Sequence, residues 1–415
     1  MAMDDNPPEQ EVNAEFDPDR CALLHNELLA RAVGHIPDAA ENMQQNCIQI
    51  ALGNPPGWAD TDALQKDDIV RFFSQLNVYD PRHAPFTGEF RQPDAVAFWN
   101  RTYGEMNDPD IILLYPTAFD IQQDAGLFLD LFTKRVTYGN LEYSGLPASD
   151  SESWVPLEFA LLKLLEMWDR GKYYWMDDSR SSILIRGFTP RDLEETLSAW
   201  EGLLEAIQTR LGDPGEDNYR DPLPTSMVNQ FRISPFAKAF LQRAKRPSFT
   251  FVGPGITVFT DERFEAVMNS ELPNSERSQF IKRFPDEPDL YPSLILPLAD
   301  ESVRLQTPFN IRERHLERLT ISLLPGLYTA VDDKFADTIQ LVTAQATDRD
   351  MVHNVQRPWG IGRAPRFAEI FEVWAGYVID GVWEVGVDGV STNHGWFTDA
   401  ETKVYRELHF MEDSM

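Results

Sequence analysis

The segment TPRDLEETLSAWEGLLEAIQTRLG, residues 189–212, carries the clearest structural signal of the chain. Thr189 can cap a helix whose first position is Pro190, and Gly212 can end it. Charges complement the helix dipole in the first and last turns, at Asp192, Glu194, Glu195 and Arg210. Apolar residues recur at helical spacing, at Leu193, Leu197, Trp200, Leu204, Ile207 and Leu211. The segment therefore predicts an amphipathic helix packed on a core.

Strand-like and helical runs alternate on both sides of this helix. Upstream, the pattern predicts a strand over 110–116, helices over 121–134 and 156–169, and a strand over 182–186. Downstream, it predicts helices over 235–244 and 261–268, and strands over 249–259, 291–298, 319–324, 326–331 and 339–344. The alternation of Val, Trp and Gly over 378–390 is typical of a hairpin. The order predicts an α/β fold, a layered sandwich of a mixed or mostly parallel sheet with helices on both faces.

Domain organisation follows from composition along the chain. Residues 1–19 are acidic and rich in proline, which predicts a flexible N-terminal tail. No Gly/Ser linker interrupts residues 20–415, so a single α/β domain is expected there. The acidic run 213–221 is the one plausible boundary, and we interpret it as a surface loop.

The charge balance limits the partners. The chain has 67 acidic residues against 37 Lys and Arg, a formal charge of −30. Such a charge repels DNA and anionic membranes at long range, so any polyanion must bind a local patch. No apolar run approaches the roughly eighteen residues needed to span a bilayer. The acidic N-terminus has no targeting pattern, and Cys21 and Cys47 are too few for a disulfide framework, which together favour a cytoplasmic protein.

One long segment offers such a patch. Residues 222–260 contain no Asp or Glu, yet they carry Arg232, Lys238, Arg243, Lys245 and Arg246. A phosphate backbone requires this freedom from repulsion, and we interpret the last three cations as one face of a polyanion site. The alternative is that cations near a helix end serve its dipole. A second acid-free run, 351–368, carries Arg357, Arg363 and Arg366.

The acid-free segment ends abruptly at a carboxylate pentad, Asp261-Glu262-Arg263-Phe264-Glu265. If Thr260 caps a helix, Asp261 and Glu265 lie four residues apart on one face, with Glu262 beside them. Such a cluster suits a guanidinium, whose planar fork matches a carboxylate, and it also suits Mg²⁺. The alternative is that acids in a first helical turn simply complement the dipole.

A glycine pair interrupts the strand-like run before the pentad. Gly253 and Gly255 flank Pro254, and such a break can mark a bulge or a close backbone approach to a ligand. Ligands bind at strand ends in α/β sheets, and Ser248 and Thr257 would supply hydroxyl groups there. The alternative is a simple turn.

The pentad resembles the Asp-Asp-x-x-Glu motif of the fungal arginine-containing cyclodipeptide synthases, from which it departs at Glu262. Enzymes of that family take two aminoacyl-tRNAs, one charged with arginine, and join the aminoacyl groups into a diketopiperazine. The resemblance implies aminoacyl-tRNA as partner, phosphates near Arg243, Lys245 and Arg246, and an aminoacyl end at the pentad. Asp261 or Glu265 would be the base for the attacking amine.

Other classes stay open beside this resemblance. Gly-x-Ser-x-Gly, His-Glu-x-x-His and Walker motifs are absent from the sequence, so neither a cofactor nor a metal is expected. A magnesium-dependent enzyme acting on a diphosphate would use the same pentad as its metal ligands. A non-catalytic interaction protein would use both charged regions as partner surfaces.

Overall fold

The computed structural model of the chain describes residues 16–36, 39–45, 67–79, 87, 90, 111–117, 125–140, 154–175, 183–212, 219–270, 293–299, 305–310, 318–329, 336–342, 366–392 and 396. They form helices and several small sheets, which confirms the mixed α/β class. The chain divides between Ile185 and Arg186 into two compact units, 1–185 with 357–361 and 186–356 with 362–414. A single domain from residue 20 onwards stays a prediction, and residues 1–15 of the predicted tail lie outside the described residues.

The helices of the first unit pack around α1 (Pro18–Val33), which contacts α2 (Asp67–Gln75) and α3 (Leu157–Asp169). The Asp17 carboxylate caps α1 by accepting two backbone N–H hydrogen bonds at 3.0 Å, which satisfies donors that the first turn leaves unpaired. Helix α3 has a mostly apolar sequence and follows the predicted bounds closely.

The strands of the first unit form one four-stranded sheet and two small pairs. In chain order they are β1 (Met43–Gln45), β2 (Asn77–Tyr79), β3 (Ile111–Pro116), β4 (Ala125–Asp130), β5 (Arg135–Asn140), β6 (Val155–Pro156), β7 (Tyr173–Trp175) and β8 (Ile183–Ile185). Strands β3 to β6 form an antiparallel sheet in sequence order, while β1 pairs with β2 and β7 with β8.

The helix predicted over 121–134 is wrong, because Ala125–Asp130 is strand β4. All six of its residues are buried, and it pairs with β3 on one edge and β5 on the other. The turn into β5 is held by the Asp130 carboxylate, which accepts the N–H of Phe132 at 2.7 Å and the hydroxyl of Thr133 at 2.8 Å. A short apolar run has no period that separates a buried strand from a buried helix, so its partners decide.

The second unit contains α4 (Pro190–Leu211), α5 (Thr225–Val228), α6 (Pro235–Leu241), α7 (Asp261–Ser270) and α8 (Phe367–Ile379). The predicted start of α4 is confirmed, since Thr189 and Asp192 cap it reciprocally, and Gly212 ends it at φ 75°. Helix α4 packs against α8, and the core between them includes Trp200 and Phe371, whose ring centroids lie 5.1 Å apart.

The strands of the second unit are short. In chain order they are β9 (Tyr219–Arg220), β10 (Arg246–Pro247), β11 (Phe251–Gly253), β12 (Ile256–Thr257), β13 (Leu294–Pro297), β14 (Leu305–Asn310), β15 (Arg318–Leu323), β16 (Gly326–Thr329), β17 (Ile339–Val342), β18 (Val385–Gly386) and β19 (Gly389–Val390). They form sheets in the orders β12-β11-β19-β18 and β13-β16-β17, with β9 paired to β10 and β14 to β15.

The sequence predicts a mixed or mostly parallel sheet, whereas the described strand pairings are antiparallel with one exception. Among the described strands, only β11 and β19 pair in parallel, at Phe251 and Gly389. The sheets are also too small to show a layered sandwich in the part of the chain that the structure describes. None of the described helices is both long enough and apolar enough to cross a membrane.

Candidate functional site

Two cations of the acid-free segment 222–260 form ion pairs with glutamates of helix α4. Arg243 forms a double ion pair with Glu194, with N···O distances of 2.7 and 2.9 Å. The Nζ atom of Lys245 lies 3.2 Å from the Glu201 carboxylate. These four side chains are 46 to 60% exposed, and exposed ion pairs contribute little to stability. The two cations are thus neutralised in the fold but held by pairs that another anion can replace.

Arg246 has a different role from its two neighbours. Its Nε donates to the Asp221 carbonyl at 2.6 Å, and its Nη1 donates to the Phe259 carbonyl at 3.2 Å and the Asp261 carboxylate at 2.7 Å. The side chain is only 15% exposed. Arg246 therefore joins the two ends of the acid-free segment, and the predicted phosphate face is reduced to Arg243 and Lys245.

The predicted helix over the pentad is confirmed as α7, and Thr260 caps it by accepting the Arg263 N–H at 3.2 Å. The three carboxylates of the pentad differ in burial and in their partners. Asp261 is half-buried and paired with Arg246, whereas Glu262 and Glu265 are exposed. The contact between Arg246 and Asp261 nevertheless connects the acid-free segment directly to the pentad.

The glycine pair forms a simple turn between two antiparallel strands, β11 and β12, with an irregular register at Phe251 and Gly253. Gly255 has φ 71°, which favours glycine, and Gly253 is buried against the ring of Trp374. A Cβ atom on Gly253 would lie 3.4 Å from that ring. The close approach at Gly253 is thus to a tryptophan of the core.

The two residues predicted to supply hydroxyl groups differ in their exposure to solvent. Ser248 is exposed, while Thr257 is buried and its hydroxyl donates to the Pro297 carbonyl at 3.0 Å. The same oxygen accepts from Arg263 Nη1 at 2.5 Å, and Arg263 Nη2 donates to the Leu298 carbonyl at 2.7 Å. Thr257 and Arg263 therefore join α7 to the strands, which leaves Thr257 a structural residue.

A groove of about 310 Å³ opens beside Lys245. Its walls are Glu201, Glu205, Gln208 and Thr209 from α4, Tyr219 from β9, and Lys245 itself. The groove is held in shape by the pairing of β9 with β10 and by the indole Nε1 of Trp200, which donates to the Lys245 carbonyl at 2.8 Å. Of the groove residues, only Lys245 was predicted from the sequence, because the pattern places the others on the polar face of α4 or in a loop.

Two carboxylates, Glu201 and Glu205, and one cation, Lys245, set the electrostatics of the groove. Glu201 is paired with Lys245, whereas no cation in the described part of the chain pairs with the Glu205 carboxylate. Burial, and then the negative charge of Glu205, raise the pKa of Tyr219 above its ordinary value. The Tyr219 phenol is thus protonated at neutral pH and available for hydrogen bonding. Two carboxylates and a phenol line a space that one small polar group can enter.

A buried ionic cluster elsewhere in the second unit was missed by the sequence reasoning. Arg366 donates from Nε to Asp337 at 2.6 Å, from Nη2 to Asp192 at 2.9 Å and from Nη1 to Glu195 at 2.9 Å. The Asp192 and Asp337 side chains are fully buried. Burial alone lowers the pKa of Arg366, but the surrounding carboxylates, led by Asp337, outweigh it and raise the pKa above its ordinary value.

This cluster corrects the interpretation of two sequence features. Arg366 belongs to the second acid-free run, yet three acids surround it in the fold, two of them from α4. Asp192 and Glu195 serve Arg366 as well as the dipole of α4. Arg366 and its acidic partners are separated by up to 174 residues in the sequence, so the cluster could not be predicted from local spacing.

Comparisons with protein-family models, with curated proteins and with solved structures give no match. Within the described residues, no group of three His, Cys, Asp or Glu side chains is arranged to hold a metal ion. The candidate site consists of two exposed, ion-paired cations, an acid-lined groove and the pentad.

Proposed function

We propose that the chain is a biosynthetic enzyme that joins aminoacyl groups from two aminoacyl-tRNAs, one of them arginyl, into a cyclic dipeptide. The proposal is carried by the position of Lys245, which belongs both to the acid-free segment and to the wall of the groove. Cations that exchange their partners suit the phosphates of tRNA, and the carboxylates of Glu201 and Glu205 suit a guanidinium.

The chemistry asks little of the protein, because the ester between an amino acid and tRNA is already activated. The amine of one aminoacyl group attacks the ester carbonyl of the other, so one amide bond forms and one ester bond breaks. A second attack by the remaining amine closes the ring. In each step a proton passes from the amine to the departing ribose oxygen. Orientation of the two esters and a base for the amine are the requirements.

The exposed pentad carboxylates supply the base in this proposal. Glu265 is exposed on the first turns of α7, where a bound substrate can reach it. Asp261 is committed to Arg246 at 2.7 Å, so it acts as a positioning residue that keeps the pentad beside the acid-free segment. We also propose that the complete fold is the layered α/β sandwich expected from the sequence, that tRNA is the partner, and that the protein is cytoplasmic.

The test compares isosteric changes of carboxylates within the second unit. Glu265→Gln should abolish cyclic dipeptide formation while the melting temperature stays near that of the wild type, because an exposed carboxylate adds little stability. Glu372→Gln is the matched control, since Glu372 is an exposed glutamate on α8, and it should keep full activity. Equal product from both variants would remove Glu265 from the reaction and leave only the dipole role for its charge.

A further inference from the structure

The groove between α4 and β9 is bordered by two carboxylates, of which one, Glu201, forms an ion pair with a lysine. Glu201 faces Lys245 at 3.2 Å, and both side chains are about half exposed. Glu205 follows one helical turn later on the same face of α4, so the two carboxylates border the same space. The Glu205 carboxylate has no cationic partner among the described residues.

The shape of the groove suits one side chain rather than an extended ligand. Its volume of about 310 Å³ lies at the lower limit of ordinary ligand sites. Tyr219 supplies an aromatic face, on which a planar cation can stack, and a hydroxyl group for a hydrogen bond. A guanidinium has five N–H donors in one plane, which can reach two carboxylates and a phenol oxygen together.

We infer that the groove binds the cationic side chain of the substrate, a guanidinium, between Glu205 and Tyr219, and that Lys245 controls its affinity by occupying or releasing Glu201. This inference rests on the proposed function for the identity of the ligand. When a phosphate captures Lys245, Glu201 loses its partner and becomes the second carboxylate for the guanidinium. Phosphate binding and cation binding thus strengthen each other, and linkage requires the effect to be reciprocal.

The first arm of the test measures binding of arginine amide to the purified full-length protein by calorimetry. Glu205→Gln should weaken binding about tenfold or more, because a charge-assisted hydrogen bond is lost. Glu372→Gln, which removes the same charge from an exposed position on α8 away from the groove, should change it less than about twofold. Citrulline amide, the neutral analogue, should bind far more weakly than arginine amide. Equal binding by the Glu205→Gln variant, or by citrulline amide, would overturn the guanidinium site.

The second arm tests the control by Lys245. Inorganic pyrophosphate should raise the affinity of the wild type for arginine amide severalfold. Lys245→Met should bind arginine amide more tightly than the wild type, because Glu201 is released permanently, and pyrophosphate should then have no further effect. A Lys245→Met variant that binds arginine amide no better than the wild type would refute the exchange. Thermal melting of each variant confirms that it is folded.

Product formation separates this inference from the proposed function. If arginine amide binds as described but no cyclic dipeptide is ever formed, the groove is a guanidinium site and the proposed function fails. If Glu205→Gln loses arginine amide binding yet forms product at the wild-type rate, the function stands and the groove is not its substrate site.

Discussion

Arg366 lies among three carboxylates in the core of the second unit, where the balance of charge decides stability. Removing a buried partner costs more than the pair itself contributes, because it leaves uncompensated charges in a poorly solvated site. Arg366→Met should therefore lower the free energy of unfolding by about 3–5 kcal/mol, measured by urea denaturation.

A neighbouring arginine provides the control for that measurement. Arg191 pairs with the same Glu195 at 2.9 Å, but its side chain is 62% exposed. Arg191→Met should cost no more than about 1 kcal/mol. Similar costs for the two variants would show that the Arg366 cluster is not a buried determinant of stability.

His25 predicts a pH dependence of stability in the first unit. Its Nε2 lies 3.0 Å from the Asn77 carbonyl, so Nε2 carries the proton, and Nδ1 accepts from the Tyr115 hydroxyl at 2.9 Å. Burial lowers the pKa of His25 to about 4 from 6.5. As pH falls, the unfolded chain takes up the proton first. The stabilisation by neutral His25 is thus complete above about pH 6.5 and is lost as pH falls towards 4.

The matched variant isolates this titration from that of other groups. The unfolding free energy of the wild type should decline between pH 6.5 and 4 by roughly 3 kcal/mol more than that of His25→Gln, whose side chain cannot titrate. Parallel stability curves for the two proteins would mean that His25 is not held neutral.

The residues of the candidate site were only partly predictable. Local spacing correctly placed Thr260 as the cap of α7, because capping depends on neighbours three residues away. The partners of Arg243 and Lys245 could not be foreseen, since they belong to α4 and meet the segment only in the fold. An acid-free run in sequence is therefore not an acid-free surface.

Among the elements, the pairing of β11 with β19 depends on a glycine that the sequence patterns did not single out. Gly389 has φ 99°, and a Cβ atom there would lie 2.2 Å from the Phe251 carbonyl oxygen. Gly389→Ala should therefore lower the free energy of unfolding by about 1–3 kcal/mol through backbone strain alone. The steric clash of the added Cβ with the Phe251 carbonyl adds to this cost.

Gly253→Ala provides the comparison within the same sheet. Its added Cβ would meet the Trp374 ring at 3.4 Å, an ordinary contact distance, so its cost should be clearly smaller than that of Gly389→Ala. Thermal melting of both variants measures the difference. An equal or larger loss at Gly253 would contradict the claim that backbone strain makes Gly389 the more sensitive glycine of this sheet.

Prediction of the elements succeeded where one segment contains its own signals. Helix α4 has caps, charges and an apolar stripe within its sequence, and its bounds were predicted closely. Strand β4 has none of these, and two neighbouring strands impose its conformation. The partners of the strands were unpredictable for the same reason, because β11 pairs in space with β19 through Phe251 and Gly389, which are 138 positions apart.

For the whole molecule, the formal charge of −30 opposes any nucleic acid, so the tRNA binding that we propose must depend on a local patch. Charge reversal of both exchangeable cations, Arg243→Glu with Lys245→Glu, should weaken tRNA binding strongly. The wild-type affinity should fall as salt rises, because bound phosphates release counterions, and the double variant should show a shallower dependence. Filter binding at several salt concentrations measures both slopes, and a salt-independent wild type would exclude this mode of binding.

A reaction with defined components tests the proposal that the chain makes a cyclic dipeptide containing arginine. Purified protein is incubated with tRNA charged with isotopically labelled arginine and with a mixture of other aminoacyl-tRNAs, and the products are analysed by mass spectrometry. We expect a diketopiperazine that carries the arginine label, formed by the wild type and not by Glu265→Gln. Labelled arginine that appears only on tRNA or as the free amino acid, whichever aminoacyl-tRNAs are supplied, would contradict it.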